Sequence, residues 1–290
     1  MKGNNRIDAL VPWSPRFYTG VPLFQPVLPL LQRLSHYRQW PGLNQLQLLL
    51  ESCDRVVTGG GKPLQLVAQE ERGERFRQQY APRIFFQGEL QTRDQNWHDL
   101  FQLLTWLTFP RTKVVINALH LSLAGERWLR PDQRGRRSPQ ENTLSLFDEG
   151  GAVILSSNVQ LLQLITQFRW KELFWHRRQE LLAELRCIPF GHALYEKGLR
   201  PYSGMTANTI LLLAPAVVIT ATGEEQVAWV DARLSALIQS GRYASPRALS
   251  PFPILGMPGW IEANCDEHYY DDRTYFRSGR RGSQEREAFD

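Results

Sequence analysis

Residues 96–120, NWHDLFQLLTWLTFPRTKVVINALH, constrain the fold more than any other stretch. Apolar side chains occupy nearly every side of a helix over 95–108 and of a second over 110–126. A helix that is apolar almost all round has to be buried. Pro110 stands between them, at the first position of the second helix, where its missing N–H leaves no bond unmade. The pair reads as a central helical hairpin. Yet it carries His98, Asp99, Lys113, Asn117 and His120. Successive residues turn by about 100°, so Lys113, Asn117 and His120 fall within an arc of roughly 60°. On the first helix His98 shares a face with Gln102, and Asp99 lies beside them. Burying an ammonium or a carboxylate without a partner costs several kcal/mol. The stripe is therefore a satisfied internal network or the wall of a site. Two simpler roles compete: Asp99 suits the first turn of any helix, and Lys113 can run its stem along apolar surface to reach water.

The rest of the chain supplies a helix-dominated α+β setting with a small mixed sheet. Residues 1–25 are polar, then rich in Pro and aromatic side chains, and read as an extended N-terminal arm. Residues 26–278 read as a single globular domain and 279–290 as a disordered tail. Leucine spacing predicts helices over 27–36 and 43–52, and an amphipathic pattern predicts one over 224–240. Residues 58–69 read as a turn and a strand, and RIFFQGEL (83–90) as a second strand. NTLSLFDEGGAVILS (142–156) reads as a hairpin turning at Asp148-Glu149-Gly150-Gly151. Helices are expected at 158–167 and 169–185. Residues 187–199 begin irregular and end helical, 207–213 read as helix and 216–221 as strand. From 245 on, proline argues against regular structure.

Composition excludes more than it identifies. The chain has 290 residues, 42% hydrophobic and 22% charged, ordinary for a globular protein. No secretory signal is evident at the start. The greasiest run, TILLLAPAVVITA (209–221), is interrupted by Pro215 and is shorter than the roughly 20 residues a bilayer crossing takes, so no membrane partner is expected. Three widely spaced cysteines form no C-x-x-C pair, which argues against a disulfide framework and for a reducing cytoplasm. Net charge is +5, and 29 of the 34 basic residues are arginine. So mild an excess does not by itself argue for nucleic acid.

GGGK (59–62) lacks the Ser/Thr and the following helix of a phosphate loop. NCDEHYYDD (264–272) groups possible metal ligands but reads more simply as solvated or paired with arginines. The polar stripe is the stronger candidate. Asp148 and Glu149 at their turn, and His192 and Glu196 one helical turn apart after Pro-Phe-Gly, could converge on it. That set could hold a divalent metal or support acid–base hydrolysis of a small or nucleotide-like molecule. His98, Asp99, His120, Asp148 and His192 would be the catalytic groups, and Lys113, Asn117, Glu149 and Glu196 the ligand-binding ones. An alternative is a nucleic-acid partner held on the basic segment 127–141, where Arg134, Arg136 and Arg137 follow Arg127 and Arg130. A third is a non-catalytic protein whose stripe is only structural.

The blocks NWHDLFQLLTWLTFPRTKVVINALH, LSLFDEGGAVIL, PFGHALYEKGLRPY, SPFPILGMPGW and YYDDRTYFR, in that order from about Gly61 to Arg277, resemble an uncharacterised bacterial family, domain of unknown function 3025. The resemblance implies a soluble, single-domain bacterial protein and no particular activity. In the family pattern the position of Gln102 is Asn. The longer amide here weakens any rigid catalytic role for that position.

Overall fold

The computed structural model describes residues 11–70, 75–129, 137–279 and 289. The fold is helix-dominated α+β with two small sheets. Contacts divide the chain into two compact units, each drawn from separate segments.

Unit 1 takes residues 11–19, Val27–Ser145 and Asp231–Pro246. Its first helices, α1 (Leu28–Leu34) and α2 (Leu43–Glu51), bury the leucines whose spacing predicts them: Leu31, Leu34, Leu46, Leu49 and Leu50. Of the expected arm, residues 1–10 lie outside the described residues. Residues 15–20 form turns, and Trp13 stacks on Trp97 with ring centres 5.6 Å apart. Strand β1 (Gln65–Ala68), helix α3 (Tyr80–Gln87) and strand β2 (Glu89–Thr92) follow. β1 and β2 pair in parallel, from Gln65 opposite Glu89 to Ala68 opposite Thr92. The expected strand at 83–90 is thus mostly helix. Pro82 sits in the first turn of α3, where its missing N–H costs nothing. Gly88 ends the helix with φ at +75°, and a side chain there would run into the carbonyl of Pro63.

Helices α4 (Trp97–Thr108) and α5 (Pro110–Trp128) confirm the expected pair, with Pro110 opening the second. α4 is buried on most sides, as its sequence demands. α5 is not. Its buried residues are Thr112, Lys113, Ile116 and Asn117, while Val114, Val115 and Leu119 are only half-buried. The polar stripe is the inward face. The start of α5 is capped from 119 residues away: the amides of Arg111 and Thr112 donate to the Asp231 carboxylate at 3.0 and 2.8 Å.

The expected hairpin over 142–156 does not form. Residues Pro139–Gly150 are helix α6, and Gly151–Ser156 is strand β3. The signal for α6 is SPQE: the Ser138 amide donates to the Glu141 carboxylate and the Glu141 amide to Ser138 Oγ, and Pro139 is the first helical residue. Residues 130–136, most of the expected basic loop, lie outside the described residues, and so do 280–288 and 290 of the expected tail.

Unit 2 takes Gly20–Pro26, Leu146–Val230 and the chain from Arg247. After β3 come α7 (Val159–Thr166), a π-helical turn at Glu172–His176, α8 (Arg178–Glu184) and β4 (Leu185–Pro189). Then follow α9 (His192–Gly198), β5 (Thr206–Leu213), α10 (Ala216–Thr220), the first part of α11 (Gly223–Gln239), whose residues from Asp231 on count with unit 1, and β6 (Ser250–Pro253). The sheet order is β4-β3-β5-β6. β3 runs parallel to β5, and the two outer pairings are antiparallel, so the sheet is mixed as expected. Two assignments exchange: 207–213 is strand rather than helix, and 216–221 is mostly helix rather than strand. Every residue of β3 is buried.

Candidate functional site

Asn96 caps α4 by accepting the amide of Asp99 at 3.0 Å. The buried Asp99 carboxylate takes three bonds from one residue: the backbone amide of Arg93 at 2.7 Å and its guanidinium at 2.9 and 2.8 Å. Asp99 is therefore employed in joining β2 to α4. His98 and His120 are half-buried, and Gln102 is buried.

The stripe on α5 is different. Lys113 is 2% exposed. Its ammonium lies 5.3 Å from the ring centre of Trp106, so the inward face of α5 meets α4 on the side that carries Gln102, one turn before Trp106. One turn beyond Lys113, Asn117 donates its amide to the carbonyl of Ala81 on α3 at 3.1 Å. Two buried atoms on these helices have no hydrogen-bond partner: Trp106 Nε1 and Asn117 Oδ1. A buried donor or acceptor left unpaired costs about 1–3 kcal/mol. The indole N–H on α4 and the amide oxygen on α5 are thus buried with unmet bonds on two neighbouring helices.

The remaining candidates fall in unit 2. Asp148 and Glu149 occupy the last turn of α6, not a hairpin; Asp148 is buried and Glu149 exposed. His192 opens α9 and is 3% exposed, with the half-buried Glu196 one turn on. The backbones carrying these residues do meet. Gly191 packs so closely on the Glu149 carbonyl that a side chain there would collide with it, and the amides of Phe190 and Gly191 both donate to Gly151 O, at 3.0 and 2.8 Å. The structure thus joins the Asp-Glu-Gly-Gly and Pro-Phe-Gly-His segments within unit 2. The stripe residues His98, Asp99, Lys113, Asn117 and His120 belong to unit 1.

Among the described residues, no group of three His, Cys, Asp or Glu side chains is placed to hold a metal ion. The acidic segment 264–272 is structural. Asn264 donates to the carbonyls of Leu255 and Met257 and accepts from Gly259, and Asp271 pairs with Lys171 at 2.8 Å. In the basic segment, Arg127 is spent on the buried Glu141 at 2.8 Å, and Arg137 contacts Ser145 Oγ at 3.3 Å. Arg134 and Arg136 lie outside the described residues.

Sequence reasoning missed a groove in unit 2. It encloses about 620 Å³ and is lined by Phe168, Arg169, Lys171, His176, Arg273 and Phe276, among others. Its walls come from the end of α7, the π-turn and the segment after residue 270. Residues so far apart in sequence carry no spacing signal. The one local cue is Phe168, a bulky residue immediately after a helix where glycine is usual.

A family model described as "Protein of unknown function (DUF3025)" matches residues 64–280, and the chain belongs to that family. A search of curated proteins and a search of solved structures each returned no match. No helix among the described residues is long and apolar enough to cross a membrane.

Proposed function

We propose that this member of the family binds a small polar molecule on the inward face of α4 and α5, with His98 and His120 as proton donors and acceptors toward it. The observation that carries the reading is the pair of unpartnered buried atoms, Trp106 Nε1 on α4 and Asn117 Oδ1 on α5. Their chemistry selects a guest. The indole N–H asks for an acceptor oxygen, as on a carboxylate. The Asn117 oxygen asks for a hydroxyl or ammonium hydrogen. A small 2-hydroxy- or 2-aminocarboxylate offers both. A divalent metal has no support from the described side chains, and chelator should leave stability unchanged.

The structural reading rests on Asp99, whose three bonds to Arg93 give it a complete role without any ligand. Two measurements separate the readings. Ligand-observed NMR with lactate and alanine as probes should show saturable binding that Trp106→Phe, which deletes the N–H, weakens. Trp106→Phe should also leave stability unchanged or raise it by about 1 kcal/mol, because it removes a buried donor that has no partner in the fold. Failure of both probes to bind, with Trp106→Phe and His120→Ala each lowering stability by several kcal/mol, would make the stripe a structural network.

A further inference from the structure

We propose that the groove of unit 2 binds a small molecule that carries a phosphate or carboxylate beside a flat ring. The proposal does not depend on the reading given to α4 and α5. A volume near 620 Å³ lies within the range of about 300–1,000 Å³ usual for small-molecule sites.

The charges around the groove do not all cancel among themselves. Arg169 pairs with Glu172. Lys171 is held by Asp271 at 2.8 Å and Glu267 at 3.1 Å, and the Asp271 hydrogen bond first of all raises its pKa. These groups fix one another and leave little charge for a guest. Arg273 and His176 also line the groove, and neither has a hydrogen-bond or ion-pair partner among the described residues. A guanidinium presents paired N–H groups that match the oxygens of a carboxylate or phosphate, and an imidazole N–H adds a third donor. The guest is therefore an oxyanion.

The wall explains the ring. Phe168 has φ at +58°, a left-handed conformation that side chains seldom adopt. It closes α7 in the manner of a helix-ending glycine: its amide donates to Ile165 O at 3.1 Å, and that of Arg169 to Leu164 O at 2.9 Å. The ring is held edge-on to Trp170 with centres 5.6 Å apart, and Trp170 is fixed by its indole bond to Arg277 O at 2.8 Å. Phe168 remains half-buried rather than buried, so part of it faces the groove. On another side the backbone widens into a π-turn, with Arg177 N bonded to Glu172 O at 2.8 Å, which sets His176 on the rim. Strained bulky residues and π-turns both gather at functional sites. Here the two meet at one cavity that offers a held ring and unpaired donors.

The test uses the full chain and three probes in ligand-observed NMR titrations: phenyl phosphate, inorganic phosphate and benzyl alcohol. Phenyl phosphate should bind saturably, inorganic phosphate more weakly, and benzyl alcohol not at all. Arg273→Gln, a change at an exposed side chain, should keep the melting temperature and weaken phenyl phosphate by about tenfold. Phe168→Asn tolerates the left-handed backbone and should reduce phenyl phosphate to the affinity of inorganic phosphate. The proposal is overturned by no saturable binding of phenyl phosphate up to about 10 mM, or by binding indifferent to Arg273→Gln. Polyglutamate binding lost in Arg273→Gln, with none of phenyl phosphate, would equally overturn it and reassign the groove to an acidic protein segment.

Discussion

Asp99 and Lys113 show two fates for a charge placed in apolar sequence. Both are buried, as the run around them requires. Asp99 is met in full by Arg93, six residues earlier, whose backbone and side chain both donate to it. That partner was not legible, because Arg93 precedes the helix and nothing in the local pattern directs its side chain back. Asp99→Asn keeps the size but removes the charge that makes these bonds strong. It should cost about 1–3 kcal/mol, read from the denaturant midpoint, with no effect on probe binding at Trp106. The positions of Lys113 and Asn117 on one inward face were legible from their spacing alone. That their face would be buried while neighbouring valines stayed half-exposed was not, because periodicity tells which residues share a side and not which side wins.

At the scale of elements, the sequence pattern succeeds where a cap or a proline agrees with the periodicity and fails in short apolar runs. α4, α5 and α11 were legible for the first reason. β5 and α10 exchanged identities for the second. The run TILLLAPAVVITA contains leucines, good helix formers, before Pro215 and β-branched residues after it. The leucines become a strand because β3 pairs along them, opposite Ile154, Leu155 and Ser156, and tertiary pairing outweighs a propensity of some tenths of a kcal/mol per residue. The valines become a helix of five residues starting just after Pro215. At 142–150 the turn residues Asp-Glu-Gly-Gly suggest a hairpin, but the capping box at Ser138–Glu141, upstream of that run, begins a helix that continues to Gly150. The junction of α3 and β2 can be tested directly. Gly88→Ala meets both a left-handed backbone and the Pro63 carbonyl, so it should destabilise by more than about 1 kcal/mol. A melting temperature equal to that of the parent would refute the close approach.

For the molecule as a whole, the titrating groups fix a pH window. Hydrogen bonds hold four carboxyls below their usual range: Lys171 acts on Asp271, Thr274 on Asp272, Arg177 on Glu180, and the Thr222 amide on Glu225. Each folded pKa is lower than the unfolded one. Their contribution is therefore present above about pH 4, the ordinary carboxylate value, and is lost as pH falls through the folded values. At the other end, burial pushes up the Cys187 thiol and the Tyr195 and Tyr275 hydroxyls. Their folded pKa values exceed the unfolded ones, so that contribution holds below about pH 8.5 for the thiol and about pH 10 for the tyrosines, and is lost above. Thermal melts should be flat between pH 5 and 8 on this account and fall on both sides. A melting temperature still rising below about pH 4 would contradict it.

The carboxylate of Asp231 that caps α5 has a consequence for how the chain is made. A ribosome adding about 5–20 residues per second exposes Arg111 and Thr112 some 6–24 seconds before Asp231 exists, from the 119 and 120 residues that separate them. During that interval the start of α5 waits with its amides unmet. The last segment of unit 1 is also synthesised after most of unit 2. A nascent chain stalled before residue 231 should leave α5 open to protease, and release past Asp231 should close it.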